Sequence, residues 1–271
     1  MGADPPMIPP EGLIVPRRFR GPAVSGNGGW TAGALAGMAA LVDHDCPDDR
    51  SASWPAVEVT LHAPPSLDVP LDVTVDGDTT VASYDGARIA TARVVDRPLT
   101  EVASVPAAEA RAAEAAYPGH RVHPFPTCFV CGPEREEGDG LRIFPGPVST
   151  GPTRVAATWT PHPSLSEDYH TYLDAHRMAS LASTWAALDC TGGWAGDLAE
   201  RPMVLGRITV RVDTLPVIGE EHVVTGEGRG REGRKTSTAT TLYDASGRAI
   251  ASAEHVWITV DPALFQKSRT D

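Results

Sequence analysis

Aromatic side chains are scarce in this chain of 271 residues, at 6 per cent. The interior must therefore be filled mainly by Val, Leu and Ala. Positive charge is also short: 23 Lys and Arg stand against 35 Asp and Glu, a net charge of −12. A chain this acidic repels phosphate backbones and anionic lipid, which argues against nucleic-acid and membrane partners and leaves room only for a local basic patch. No run of about 18 apolar residues occurs, so no segment reads as a spanning helix. The start, Met1-Gly2-Ala3-Asp4-Pro5-Pro6, has no apolar signal region. Only four cysteines appear, Cys46, Cys128, Cys131 and Cys190, so the expected setting is a reducing cytoplasm with free thiols. The chain has no Gly-x-Ser-x-Gly elbow, which argues against an α/β-hydrolase. It also lacks a P-loop and a dinucleotide fingerprint.

Glycine and proline are plentiful instead, 26 and 25 of them, which favours short strands and turns. After a Pro-rich arm, Leu35, Met38, Ala39 and Val42 fall at helical spacing, and Ser25-Gly26-Asn27 supplies an N-cap. The pattern predicts a helix from Gly28 to about Val42, ended by the stretch Cys46–Ser53. Strands follow at Val57–Leu61 and Leu71–Val75, then a hairpin of Thr79–Tyr84 and Arg88–Val95 around Asp85-Gly86. An Ala/Glu/Arg-rich helix over 106–117 reads as a linker. Leu141–Phe144 and Thr153–Trp159 read as strands. A second helix is expected from about Tyr172 to Asp189, with Met178, Leu181, Ala182, Trp185 and Leu188 as its stripe and Thr191-Gly192-Gly193 as its stop. Strands near Ile208–Val212, Val223–Gly226, Lys235–Tyr243 and Ala249–Val260 finish the chain.

The order of elements repeats: a helix, a strand, a proline-broken connection, then a hairpin. Tyr84-Asp85-Gly86-Ala87-Arg88-Ile89-Ala90 also resembles Tyr243-Asp244-Ala245-Ser246-Gly247-Arg248-Ala249-Ile250-Ala251. The expectation is a duplicated α+β unit, each copy a helix wrapped by antiparallel strands. The boundaries fall at 13–97 for the first unit, 98–127 for a linker with a short helix, and 128–262 for the second unit.

Three stretches carry a resemblance. They are Ser25-Gly26-Asn27-Gly28-Gly29-Trp30 followed by the Pro64–Leu71 pattern, Cys128-Phe129-Val130-Cys131-Gly132 followed by Gly140-Leu141, and Trp185-Ala186-Ala187-Leu188-Asp189-Cys190. Together they resemble double-hotdog acyl-CoA thioesterase-like proteins. The resemblance implies two tandem hotdog units, each with a central helix wrapped by an antiparallel sheet. It further implies an acyl-CoA or related thioester as partner and no cofactor. That fold usually pairs further, which would allow a homo-oligomer. The family's usual His-Gly-Gly reads here as Asn27-Gly28-Gly29. Its acidic position is missing near Ala36 and is met by Asp189 in the second half, whose own entrance, Ser180-Leu181-Ala182, lacks the glycines.

Thioester hydrolysis needs a stabilised oxyanion and an oriented water. Backbone N–H groups of Gly28 and Gly29 at a helix start suit the first task, and Asn27 can orient the thioester or its water. Asp189 is the candidate carboxylate for the second, as general base or nucleophile, in a composite site drawn from both halves. An ordinary helix cap and a solvated Asp189 are the plain alternatives. Trp30 and Trp185 are substrate-binding candidates. Arg229, Arg231, Arg234 and Lys235 put four basic residues in seven, able to hold coenzyme A phosphates or to serve only as solvated edge charges. His120, His123, Cys128 and Cys131 have zinc-like spacing, but a buried structural role for the cysteines is the stronger expectation, and no metal is assigned. Cys46 and Cys190 read as packing residues. Among single histidines, His176 is the one worth testing. A non-catalytic acyl-CoA or fatty-acyl binding protein is the rival reading. A hydratase built on Asp174-Ala175-His176 ranks last, because the two residues stand too close together.

Overall fold

The alternating segments of the sequence become one antiparallel sheet. A computed structural model describes residues 12–40, 54–149, 151, 153–166, 177–261 and 263. The strands of the first half are β1 (Leu13–Ile14), β2 (Val57–Leu61), β3 (Pro70–Asp76), β4 (Thr79–Tyr84) and β5 (Ala87–Val94). Those of the second half are β6 (Gly146–Pro147), β7 (Arg154–Trp159), β8 (Met203–Val212), β9 (His222–Glu232), β10 (Lys235–Tyr243) and β11 (Ala249–Thr259). They join in the order β1-β3-β4-β5-β2-β8-β11-β10-β9-β7-β6. The seam is the antiparallel pair β2–β8, from Val57 opposite Val210 to Thr60 opposite Arg207. Outward from it the order is β2-β5-β4-β3 on one side and β8-β11-β10-β9 on the other, the same connectivity twice. Asp85 and Gly86 both take positive φ, 49° and 73°, which a two-residue hairpin turn of this hand requires.

Two helices lie against this sheet and against each other, α1 (Gly28–Ala40) and α3 (Leu181–Ala195). The short α2 (Ala107–Glu114) packs on β7. Every residue of α3 from Ser183 to Ala195 is buried. The two helices meet without space for a side chain between them: a Cβ on Gly33 would stand 2.6 Å from Trp185 Cβ and 2.9 Å from Ala182 Cα. None of the described helices is long and apolar enough to cross a membrane.

Two expectations need correction. The second helix is displaced toward the C-terminus. Among the described residues it starts at Leu181, behind a Ser180 cap whose hydroxyl accepts the Ser183 N–H at 3.1 Å. Met178 lies before it in an isolated bridge to Val217, and Tyr172–His176 lie outside the described residues. The helix also runs through Thr191-Gly192-Gly193 to Ala195. A Cβ on Gly192 would approach Thr238 Oγ1 to 2.8 Å and His255 Nδ1 to 2.9 Å, so packing on the sheet demands a glycine there and outweighs its poor helix propensity. The second correction is Leu141–Phe144, which is not a strand. Arg142 takes φ 55°, which breaks the pleat, although Leu141 and Ile143 are still buried. For the first helix, Val42 and the expected stop at 46–53 lie outside the described residues.

His255 sits on β11 under α3 and is 2 per cent exposed. Burial pushes its imidazole down to about 4, against the nearby Thr238 and Leu188 carbonyls, which favour the proton. The folded chain therefore keeps the ring neutral, whereas an unfolded chain protonates it near its ordinary 6.5. The stability this group contributes is complete above pH 6.5 and is lost as pH falls toward 4, by about 3 kcal/mol. The buried Asp189 carboxyl, held near 7, changes stability in the opposite sense over this range, so the His255 part is read as a difference: the destabilisation of His255→Gln relative to the natural chain should be smaller at pH 4.5 than at pH 7.5, by about 3 kcal/mol, in denaturant midpoints.

Candidate active site

The start of α1 is built by its approach loop. Asn27 N–H donates to the Phe19 carbonyl at 2.7 Å, and Asn27 Oδ1 accepts the Trp30 N–H at 2.8 Å, so Asn27 is the helix cap. Its amide nitrogen turns the other way and donates to Asp189 Oδ2 at 2.9 Å. Gly29 N–H donates to the same oxygen, also at 2.9 Å. A Cβ on Gly29 would stand 2.4 Å from Asp189 Cβ, so the carboxylate reaches this amide only because the residue is glycine. The helix dipole adds to the attraction. Asp189 is 2 per cent exposed, and its other oxygen, Oδ1, has no hydrogen-bond partner among the described residues. Burial pushes the carboxyl up to about 7, against the opposing pull of the Gly29 N–H and the Asn27 amide.

A cavity of about 240 Å³ opens beside this pair. Its mouth lies where β2 and β8 part beyond the Thr60–Arg207 pair, with Leu61–Pro65 on one side and Met203–Gly206 on the other. Asn27, Gly28, Asp189 and the three cysteines Cys128, Cys131 and Cys190 line it as well. Gly28 N–H is the first of the amides that a helix leaves without an acceptor in its own turn. At the mouth, His62 Nε2 contacts Thr91 Oγ1 at 3.0 Å. Partial burial lowers its basicity, and Arg88 and Arg207 lower it further, so both cations stand near the entrance.

The cysteines form a cluster at the cavity. Cys128 Sγ and Cys190 Sγ are 3.6 Å apart, and all three sulfurs lie within 4.8 Å of one another. Hydrogen bonds from Cys131 and Cys190 hold the Cys128 thiol below its usual range, while the hydrogen bond to Cys128 pushes Cys190 up.

The structure thus brings Asn27, Gly28, Gly29 and Asp189 together from opposite halves of the chain. The substrate-binding candidates are placed elsewhere. Trp30 stacks on Phe19, with ring centroids 4.1 Å apart, and Trp185 is buried under Gly33. Neither lines the cavity. Arg229 pairs with Glu227 at 3.0 Å, Arg231 lies near the tip of the β9–β10 hairpin, and Arg234 donates to the Thr259 carbonyl at 3.0 Å. Lys235 stands opposite Ile258, a cavity residue, and is the member of that group nearest the site along the sheet. Sequence reasoning missed Cys190 as a neighbour of Cys128, and it missed His62, Arg88 and Arg207. No local pattern signals them: Cys128 and Cys190 are 62 positions apart.

Replacing Asn27 by Ala removes a helix cap and one of the two donors to a buried carboxylate. The expected cost is about 2 kcal/mol in denaturant unfolding. Asn27→Ser, which keeps the cap oxygen, should cost less.

No family model matches this chain, and no curated protein matches it in sequence. Solved structures do match. The tesB protein of Mycobacterium avium subspecies paratuberculosis aligns over 89 per cent of this chain and 89 per cent of its own, at 12 per cent identity and a TM-score of 0.53. The acyl-CoA thioesterase II of Mycobacterium marinum aligns over 86 per cent of this chain and 90 per cent of its own, at 13 per cent identity and a TM-score of 0.51. This chain shares the fold of these thioesterase proteins, in keeping with the family its motifs resemble.

Proposed function

We propose that this protein is an acyl-CoA thioesterase-like hydrolase, built from two tandem hotdog units, 13–97 and 128–262, with residues 98–127 between them. The supporting observation is the buried Asp189 carboxylate. One oxygen is fixed by Gly29 N–H and the Asn27 amide, and the other has no partner among the described residues and lies beside a cavity. A carboxylate poised near 7 suits a general base at neutral pH. In this reading Asp189 Oδ1 takes a proton from water, and the resulting hydroxide attacks the thioester carbonyl. Gly28 N–H and the α1 dipole stabilise the oxyanion. Collapse expels the thiolate, which regains a proton. Gly29 and Asn27 then serve to position Asp189, a narrower role than direct contact with the thioester.

The volume of about 240 Å³ suits a short to medium acyl group with its thioester, not a whole acyl-CoA. The nucleotide would lie outside, where Arg88 and Arg207 at the mouth can meet its phosphates. The Arg229–Lys235 cluster, away from the cavity lining, is the weaker candidate for that contact. The expected setting is the cytoplasm.

A panel of acyl-CoA thioesters with free-thiol detection tests the reading. Asp189→Asn should lower kcat by about 10²-fold or more while the chain stays folded. Undiminished turnover in that variant would remove Asp189 from the mechanism, and binding without turnover in the natural chain would favour an acyl-CoA binding protein. The double variant Arg88→Ala/Arg207→Ala should raise KM for acyl-CoA about tenfold with little change in kcat, and should leave a thioester lacking the nucleotide unaffected.

A further inference from the structure

The three buried cysteines offer more than packing. Cys128 and Cys131 are brought together by a tight turn, in which Gly132 N–H donates to the Cys128 carbonyl at 3.0 Å. A Cβ on Gly132 would stand 2.5 Å from the Pro126 carbonyl oxygen, so the turn closes only with glycine there. Cys190 enters from α3, and its sulfur lies 3.6 Å from that of Cys128. Thiolates about 2.3 Å from a tetrahedral zinc ion stand about 3.8 Å apart, close to this spacing. All three line the cavity, so a fourth ligand position can face solvent.

Donors surround the sulfurs. The Asn27 amide nitrogen lies 3.9 Å from Cys128 Sγ and 4.0 Å from Cys190 Sγ. His123 Nδ1 accepts the Phe125 N–H at 2.9 Å, which assigns the ring proton to Nε2. That nitrogen lies 3.1 Å from the Cys131 carbonyl and 3.4 Å from Cys131 Sγ. His123 is thereby a donor to the cluster and not a metal ligand. His120 is exposed, against Tyr117 and Phe144.

We infer that Cys128, Cys131 and Cys190 form a three-thiolate site for a soft divalent metal ion, zinc by the chemistry of its donors. Binding would displace the thiol protons to solvent and leave Asn27 and His123 to donate hydrogen bonds to the sulfurs. The ligand set differs from the His120/His123 loop pattern that the sequence spacing suggests, because α3 supplies the third sulfur. The inference stands apart from hydrolysis: a metal count can succeed or fail whether or not the chain cleaves thioesters.

The test is metal analysis of the full chain, purified without chelator and exposed to zinc before desalting. One zinc per chain is expected. Cys128→Ser, Cys131→Ser and Cys190→Ser should each lose it, and His123→Gln should keep it. Should the serine variants fail to fold, the natural chain still decides the question. Stepwise titration of its thiols with a mercurial should release one zinc as the cluster is blocked, and cobalt exchange should give thiolate-to-metal absorption. A metal-free chain after zinc exposure would overturn the inference. So would a chain lighter by two hydrogens, the mark of a disulfide. Retention of zinc in Cys190→Ser with loss in His123→Gln would overturn it as well.

Discussion

A buried carboxylate between two helices organises this protein. Asp189 comes from the middle of α3, yet its partners are the cap residue and a first-turn amide of α1, 162 and 160 positions earlier. Taking a carboxylate out of water is costly unless donors meet it. Here an amide N–H, a side-chain amide and a helix dipole meet one of its oxygens. The other oxygen has no partner among the described residues, so desolvation prevails and the carboxyl is held near neutrality. That imbalance separates a mere helix-to-helix tie from a group able to exchange a proton.

The tie requires close approach, and close approach explains where the glycines of both helices fall. Gly33 admits Trp185, Gly29 admits Asp189, and Gly192 lets α3 rest on Thr238 and His255. In a chain with few aromatics, density comes from bringing backbones together instead of filling gaps with rings. The same approach carries Cys190 to Cys128 and leaves the cavity beside them at the β2–β8 seam. The acid and the sulfur cluster are thus two results of one packing arrangement.

Charge is distributed in a way the net value conceals. The chain is strongly acidic overall, but the cavity mouth carries Arg88 on β5 and Arg207 on β8, the strands on either side of β2. Arg207 faces Glu58 at 3.8 Å, and the denser run from Arg229 to Lys235 is partly occupied by Glu227 and a strand-end carbonyl. A local field near an opening matters more to a charged ligand than a cluster in sequence.

Much of the sheet was legible in the sequence. Val57–Leu61, Thr79–Tyr84 and Lys235–Tyr243 appear with the expected bounds, because period-two alternation and Asp-Gly turns are local signals. The approach to α1 and the choice of Asn27, Gly28, Gly29 and Asp189 as neighbours were also legible, through the resemblance of these motifs to a known family. The extent of α3, the break at Arg142, the sulfur cluster and the mouth cations were not. Glycine normally reads as a helix stop, and only contact with the sheet shows why Gly192 belongs inside a helix. Local periodicity thus determined most of the strands and the start of α1. Tertiary packing alone decided which distant polar groups share one cavity, since that depends on surfaces meeting across the fold and leaves no trace in neighbouring residues.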